Sequence, residues 1–359
     1  MKNQIVCIHL LNNFSGSPHV LSTVISGLYS KYYHVTLVTS FNNKGFLSET
    51  KCAEKINISY VFKKNRFLRM IQFAKFQLFA ALFILKTDRN TLIYINTIQP
   101  FLPAIVAKIF RHKVIYHFHE ANARKSLYIR FLFYIVQITS DKIICVSDYV
   151  RDRLNSKSIG RSYVIYNSLT PEFYENQISK ITGRTRKSII MVCSAREYKG
   201  IFDFCKLSLI LKEYDFVLVC DTSKIEIAEL FKNYSTIPNL RTYETQTNLH
   251  PFYASADLVM NLSNPHRFIE TFGLTILEGM SYGLPAIVPP IGGIAELVQD
   301  NYNGFKADVN EINYLITCIK TILENESNYA RMSLNAKKKA REFNPEKLVT
   351  NIEILINSF

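Results

Sequence analysis

Two glutamates stand eight positions apart in the stretch Glu270-Thr-Phe-Gly-Leu-Thr-Ile-Leu-Glu278. The first precedes Phe272-Gly273, which reads as a loop entering an amphipathic helix. Ile276, Leu277 and Met280 give that helix a buried side, Gly283 lies just beyond its end, and Pro285-Ala-Ile-Val reads as the next strand. A helix start exposes unpaired N–H groups at the positive end of its dipole, so Phe272, Gly273, Leu274 and Thr275 offer backbone to an anion, most often phosphate. Glu270 would sit at the mouth of that site. Glu278, about two turns further on, can accept hydrogen bonds from paired hydroxyls. Phosphate beside hydroxyl acceptors describes a sugar nucleotide. Two glutamates at this spacing are ordinarily one loop residue and one solvated helix residue; the adjoining Gly-Leu-Pro and Gly-Gly-x-x-Glu turn the reading towards a site.

Three further places carry ionisable groups where chemistry is expected. Ser194-Ala-Arg196-Glu-Tyr-Lys199-Gly200 follows a strand, and its guanidinium fork and ammonium suit a diphosphate. The strand Val114-Ile-Tyr-His117-Phe-His119-Glu120 ends in two histidines that share a face. They lack the third ligand cluster of a catalytic metal site, so a histidine donating to a substrate oxygen, or one satisfied structurally, is the better reading. Ser15-Gly16-Ser17-Pro18 is a strand-to-helix turn with one glycine, a weak phosphate-loop signal without G-x-G-x-x-G.

Strands and helices alternate to position these groups. Strand-like runs fall at 5–11, 34–39, 58–62, 92–96, 113–119, 142–147 and 163–167, and a second series at 188–193, 216–220, 258–262 and 285–288. The rhythm predicts an α/β protein of two tandem Rossmann-like, parallel-sheet domains, with ligands at the carboxyl ends of the strands. The expected division is an N-terminal domain over 1–170, a polar linker over 171–187, a C-terminal domain over 188–343, and a last helix over 344–359 that packs back towards the first domain. A length of 359 residues suits two buried cores.

The net charge of +14 is concentrated in the first half: residues 1–170 hold 23 basic against 7 acidic side chains. Such asymmetry points to an anionic partner. Lys63, Lys64, Arg66, Arg69 and Lys75 alternate with Phe67, Leu68, Ile71, Phe73 and Phe76, a composition that suits a helix lying in an anionic membrane interface. An unusually aromatic core helix is the plainer account. The apolar run 71–85 falls short of a membrane span. Nucleic-acid binding is disfavoured, because no RRM, KH or helix-turn-helix pattern accompanies the aromatics. Seven cysteines without C-x-x-C spacing read as reduced core residues of a cytoplasmic protein.

In order, Ala256-Asp257-Leu-Val-Met-Asn-Leu-Ser263, Glu270-Thr-Phe-Gly, Leu277-Glu278-Gly-Met-Ser-Tyr-Gly-Leu-Pro285, Gly292-Gly293-Ile-Ala-Glu296 and Asn303-Gly304-Phe305 resemble consecutive signatures of the retaining glycosyltransferases of family 4 (glycosyl transferases group 1). The resemblance covers nearly the whole chain. It implies the GT-B architecture, two Rossmann-like domains facing across a cleft. It further implies that Glu270 contacts the donor sugar near the reacting carbon and that Glu278 holds the ribose hydroxyls. Arg196 and Lys199 would neutralise the diphosphate together with the Phe272–Thr275 backbone, His119 would hydrogen-bond the transferred sugar, and Gly16 would let the first loop approach donor and acceptor. The chain departs from the family pattern in its compressed Ser194-to-Lys199 segment and in Asn167-Ser168, where Asn-Gly is usual.

The expectation is a cytoplasmic, peripherally membrane-bound transferase. It would use a nucleoside-diphosphate sugar as substrate, with no cofactor or metal, and act on a growing lipid-linked glycan such as a lipopolysaccharide or O-antigen precursor. A sugar-nucleotide epimerase of the same fold and a non-catalytic membrane-anchoring subunit are the alternatives. The sequence leaves open whether His117 or His119 faces substrate.

Overall fold

A computed structural model describes residues 4–41, 45–60, 65–120, 126–181, 183 and 185–359. The chain divides into two compact units, Met1–Pro171 with Pro345–Phe359, and Glu172–Asn344.

The first unit is built on strands β1 (Gln4–His9), β2 (His34–Ser40), β3 (Glu54–Ile58), β4 (Leu92–Asn96), β5 (Val114–Phe118), β6 (Lys142–Cys145) and β7 (Ser162–Val164). Its helices are α1 (Gly16–Ser30), α2 (Arg66–Leu85), α3 (Phe101–Ile109), α4 (Leu127–Thr139), α5 (Asp148–Arg151) and α6 (Ser156–Ile159). The sheet runs in the order β3-β2-β1-β4-β5-β6-β7, and every pairing is parallel. Near-continuous apolar strands such as Ile5-Val-Cys-Ile and Leu92-Ile-Tyr-Ile are what a sheet covered on both faces requires.

The second unit opens with α7 (Pro171–Glu175), whose first residue falls in the first unit, and continues through β8 (Ser188–Ser194), α8 (Ile201–Ile210), β9 (Asp215–Asp221), α9 (Lys224–Leu230) and β10 (Leu240–Tyr243). There follow α10 (His250–Ser255), β11 (Leu258–Met260), α11 (Leu274–Ser281), β12 (Ala286–Val288), β13 (Gly304–Lys306), α12 (Ile312–Leu323) and α13 (Glu326–Arg341). Its parallel sheet has the order β10-β9-β8-β11-β12-β13. Renumbered from its first strand this is 3-2-1-4-5-6, the doubly wound order, and the first unit repeats it with one more strand. In such sheets the order reverses between the first and fourth strands, and ligands bind outside their carboxyl ends. The reversals here lie between β1 and β4 and between β8 and β11.

The last helix, α14 (Pro345–Asn357), belongs to the first unit and packs on α1. A Cβ on Gly27 would come within 2.4 Å of Val349, so a glycine is needed for the close approach of the two helices. Lys31 pairs with Glu353, and the Lys142 ammonium donates to the Leu355 carbonyl at the helix end.

Four expectations differ from the structure. The third strand is Glu54–Ile58, ending where the sequence reading began it; its half-exposed edge position gives little apolar signal, and residues 61–64 lie outside the described residues. The short strands β10 and β13 were not expected, being four and three residues long. The first part of the expected linker is packed on the second unit: Ile181 N–H donates to the Ala254 carbonyl, and Gln177 and Ile178 bond Ser281 and the Tyr282 hydroxyl. Finally, α2 is 20 residues long and by length and composition could cross a membrane, although the apolar run alone fell short. In this fold it covers the sheet: Phe76, Ala80 and Ile84 are fully buried, and Gln77 bonds the backbone of Gln99 and Leu102.

Candidate active site

The loop after β8 and the loop after β11 meet at the reversal in the second sheet. Lys199 closes a 3-10 turn, Glu197–Lys199, and Gly200 follows with φ 76°, where a Cβ would strike the Leu262 carbonyl at 2.2 Å. That contact holds the Lys199 turn against the end of β11. The Lys199 ammonium lies 2.5 Å from Glu270 Oε1, and both side chains are largely shielded from solvent. The same carboxylate oxygen accepts from Asn261 Nδ2 at 3.2 Å and Ser263 Oγ at 3.0 Å. Lys199 also lies 3.8 Å from the centre of the Phe268 ring, which stacks on Tyr198. Asn261 and Ser263 have a two-residue spacing that places both on one side of the strand end; this alternation, followed by a glutamate, is the signal that could have identified them.

Gly292 explains the Gly-Gly-x-x-Glu motif. It sits at φ 114°, and a Cβ there would come within 2.5 Å of the Glu270 carbonyl oxygen. The glycine therefore supports the Glu270 loop from behind.

Beyond Glu270 the chain turns through buried Phe272 and left-handed Gly273, φ 102°, into α11. No side chain caps that helix. The carbonyl of Gly273 accepts from Ile276 and Leu277, which leaves the N–H groups at the start of Leu274 and Thr275 for an anion. The other end closes as a Schellman turn: Leu284 N–H donates to Gly279, Gly283 N–H donates to Met280, and Gly283 is left-handed at φ 79°.

Glu278 lies inside α11 at 8% exposure, and its Oε2 accepts from the Tyr253 hydroxyl at 2.7 Å. Among the described residues its Oε1 has no hydrogen-bond partner. Burial pushes its carboxyl up to about 7, against the hydrogen bond from Tyr253, which favours the charged form. Tyr253 is itself fully buried and stacks on Tyr282. Arg196 differs from Lys199: its side chain is exposed, and among the described residues its guanidinium has no partner.

The first unit carries its polar cluster at the corresponding reversal. His117 is fully buried and bonds the Tyr94 hydroxyl through Nδ1 at 2.8 Å. His119 is partly exposed at the strand end, with its Nε2 2.9 Å from Asn96 Oδ1. The two rings are 4.4 Å apart, as their shared face required. Burial and the neighbouring His117 and His9 hold His119 well below the usual histidine range, so it is neutral. Glu120 uses both oxygens on backbone, Oε1 on Ile98 N–H and Oε2 on His119 N–H, and burial raises its carboxyl to about 7. Gly16 begins α1 and is exposed, and its φ is not in the left-handed region.

Of the basic residues on the aromatic stretch, Arg66 and Lys75 are exposed on α2 and Arg69 is half-buried, while Lys63 and Lys64 lie outside the described residues. The neighbouring helices α2, α3 and α4 leave large apolar side chains in solvent: Phe67, Met70 and Phe79; Ile109; Leu127 and Tyr134. Among the described residues no group of three or more His, Cys, Asp and Glu side chains is placed to hold a metal ion.

Two family models match consecutive parts of the chain. Residues 14–173 match Glycosyltransferase Family 4 and residues 175–339 match Glycosyl transferases group 1. An uncharacterized glycosyltransferase of Methanocaldococcus jannaschii is 28% identical over 64% of this chain and 63% of its own length. One of Haemophilus influenzae is 22% identical over 94% and 95%. The fold is similar to that of Anabaena HepE in complex with UDP and glucose, with a TM-score of 0.80, 18% identity, and 99% and 100% of the two chains covered.

Proposed function

The chain belongs to the family 4, group 1 glycosyltransferases of GT-B type, and on that premise we propose that it moves a sugar from a nucleoside diphosphate to a lipid-linked glycan, with retention at the anomeric carbon. The observation that carries the reading is the Lys199–Glu270 contact beside the uncapped start of α11. Breaking a glycosyl–phosphate bond builds negative charge on the diphosphate and positive charge on the sugar. Lys199, Arg196 and the Phe272–Thr275 backbone stabilise the first, and the Glu270 carboxylate the second. With cations and a helix start on the diphosphate, no divalent metal and no cofactor is required. Glu278 takes the ribose hydroxyls through Oε1, His119 hydrogen-bonds the transferred sugar, and Gly16 leaves room at the first loop. By analogy with the retaining enzymes of the family, the acceptor proton goes to the leaving phosphate. Because the similar Anabaena protein is in complex with UDP, uridine-diphosphate sugars are the first donors to try.

The exposed apolar and basic side chains of α2, α3 and α4 support a peripheral seat on the cytoplasmic face of an anionic membrane, where a lipid-linked acceptor would be met. The test is a panel of nucleotide sugars screened by thermal shift, followed by transfer to a polyprenyl-linked or lipid A-type acceptor and NMR of the new linkage. An inverted anomeric centre sinks the retaining mechanism. Turnover of donor to an epimer without acceptor, or activity unchanged in Glu270→Ala, sinks the transfer reading itself.

A further inference from the structure

At the reversal of the first sheet, one amide side chain determines where a histidine carries its proton. Asn96 ends β4 and is fully buried. Its Nδ2 donates to the Ser17 carbonyl at 3.2 Å, and a carbonyl can only accept, so the amide orientation is fixed with Oδ1 towards His119. Oδ1 also only accepts; His119 Nε2, 2.9 Å away, must therefore carry the proton. Nδ2 also lies 3.1 Å from His9 Nδ1, which itself lies 3.3 Å from the Asn96 carbonyl oxygen and can either accept from the amide or donate to the carbonyl. Thr97, the next residue, holds φ 70° while its N–H bonds the His117 carbonyl. A β-branched residue in that region is strained backbone, maintained where the surrounding structure demands one geometry.

We propose that Asn96 is a positioning residue that locks His119 as the neutral Nε2–H tautomer, leaves its Nδ1 as a bare acceptor, and so selects sugars presenting a hydroxyl there over sugars presenting a carboxylate. The inference rests on the transfer reading for its consequence but not for its geometry. It reverses the donor role expected of this histidine: the one proton on the ring is already committed to Asn96. A neutral hexose donor satisfies the lone pair of Nδ1, whereas a uronic-acid donor sets a carboxylate against it, with no proton between them.

Long-range 15N–1H correlation of the full-length protein labelled at histidine nitrogen, with His119 assigned by a His119→Gln variant, tests the tautomer at pH 7. A bare Nδ1 and a protonated Nε2 are expected. A proton on Nδ1, or on both nitrogens, overturns the proposal whether or not any donor is turned over. For selectivity, Asn96→Asp keeps an acceptor at this position and adds a charge that favours the imidazolium, and should reduce discrimination in kcat/KM between UDP-glucuronate and UDP-glucose by roughly tenfold. Asn96→Leu, checked for folding by circular dichroism, should lose the single-tautomer signature and raise donor KM more than it lowers kcat. Spectra and selectivity unchanged in both variants would refute the role. A wild type that transfers from no donor would defeat the transfer reading while leaving the nitrogen spectra to decide the tautomer.

Discussion

Lys199 Nζ lies 2.5 Å from Glu270 Oε1, joining the loop that leaves the first strand of the second sheet to the loop that leaves the fourth. The cation and the carboxylate assigned to opposite developing charges are thus one hydrogen-bonded pair. Asn261 and Ser263 hold the carboxylate on the same oxygen.

Removing either partner should therefore affect rate far more than folding. Lys199→Met is expected to lower kcat/KM by about 10²–10³-fold and Glu270→Gln to lower kcat with nucleotide affinity retained. A double variant no worse than the poorer single one would show that the pair acts as a unit. Steady-state kinetics beside calorimetric nucleotide binding separates these outcomes.

Gly292→Ala should cost about 1–3 kcal/mol of stability, because it places a side chain at φ 114° and drives Cβ towards the Glu270 carbonyl. Gly160→Ala, with nothing within 4 Å of its Cβ, is the matched control and should be near neutral. Urea unfolding of the two variants measures the contrast.

Glu278 supplies a pH dependence with a definite sign. Its carboxyl is raised from 4.5 to about 7 in the fold. The folded state thus holds its proton more tightly than the unfolded one, and the associated stability is present in acid and lost as pH rises from 4.5 through about 7. Binding ribose hydroxyls needs the ionised form, so nucleotide affinity should rise across the same window. Tyr253→Phe removes the hydrogen bond that favours ionisation and should move the midpoint of nucleotide binding to higher pH. Titration calorimetry from pH 5.5 to 8.5 reads both.

Sedimentation with anionic and neutral vesicles across a salt series tests the helical face of the first unit. Wild type should bind anionic vesicles and be released by salt, and Phe79→Ser with Lys75→Glu should weaken that binding several-fold without altering nucleotide affinity. Equal binding to both vesicle types, or to neither, would sink the membrane reading.

The sequence was most legible where strands are fully covered and motifs are dense. Ile5–Leu11, Leu92–Asn96 and Ser188–Cys193 were each placed to within two residues, because a buried parallel strand is a continuous apolar run. β3 was displaced by several residues, because an edge strand with a half-exposed face carries no such run. At the site, the types of Glu270, Lys199 and His119 could be read from the chain, but their partners could not. Asn96 is 23 residues from His119, and Asn261 and Ser263 have no distinguishing chemistry until a fold brings a carboxylate to them. The compressed Ser194-to-Lys199 segment makes Arg196 the less secure of the two cations, and in the structure Lys199 meets Glu270 while Arg196 is exposed.

The placement of α14 sets the two units apart. Residues 172–344 form one uninterrupted unit, whereas the first unit is closed by a segment far away in the chain, whose Val349 meets Gly27 on α1. Packing of the first unit is therefore a long-range event that joins α1 to α14 across more than 300 residues, while the second unit folds from contacts confined to its own segment.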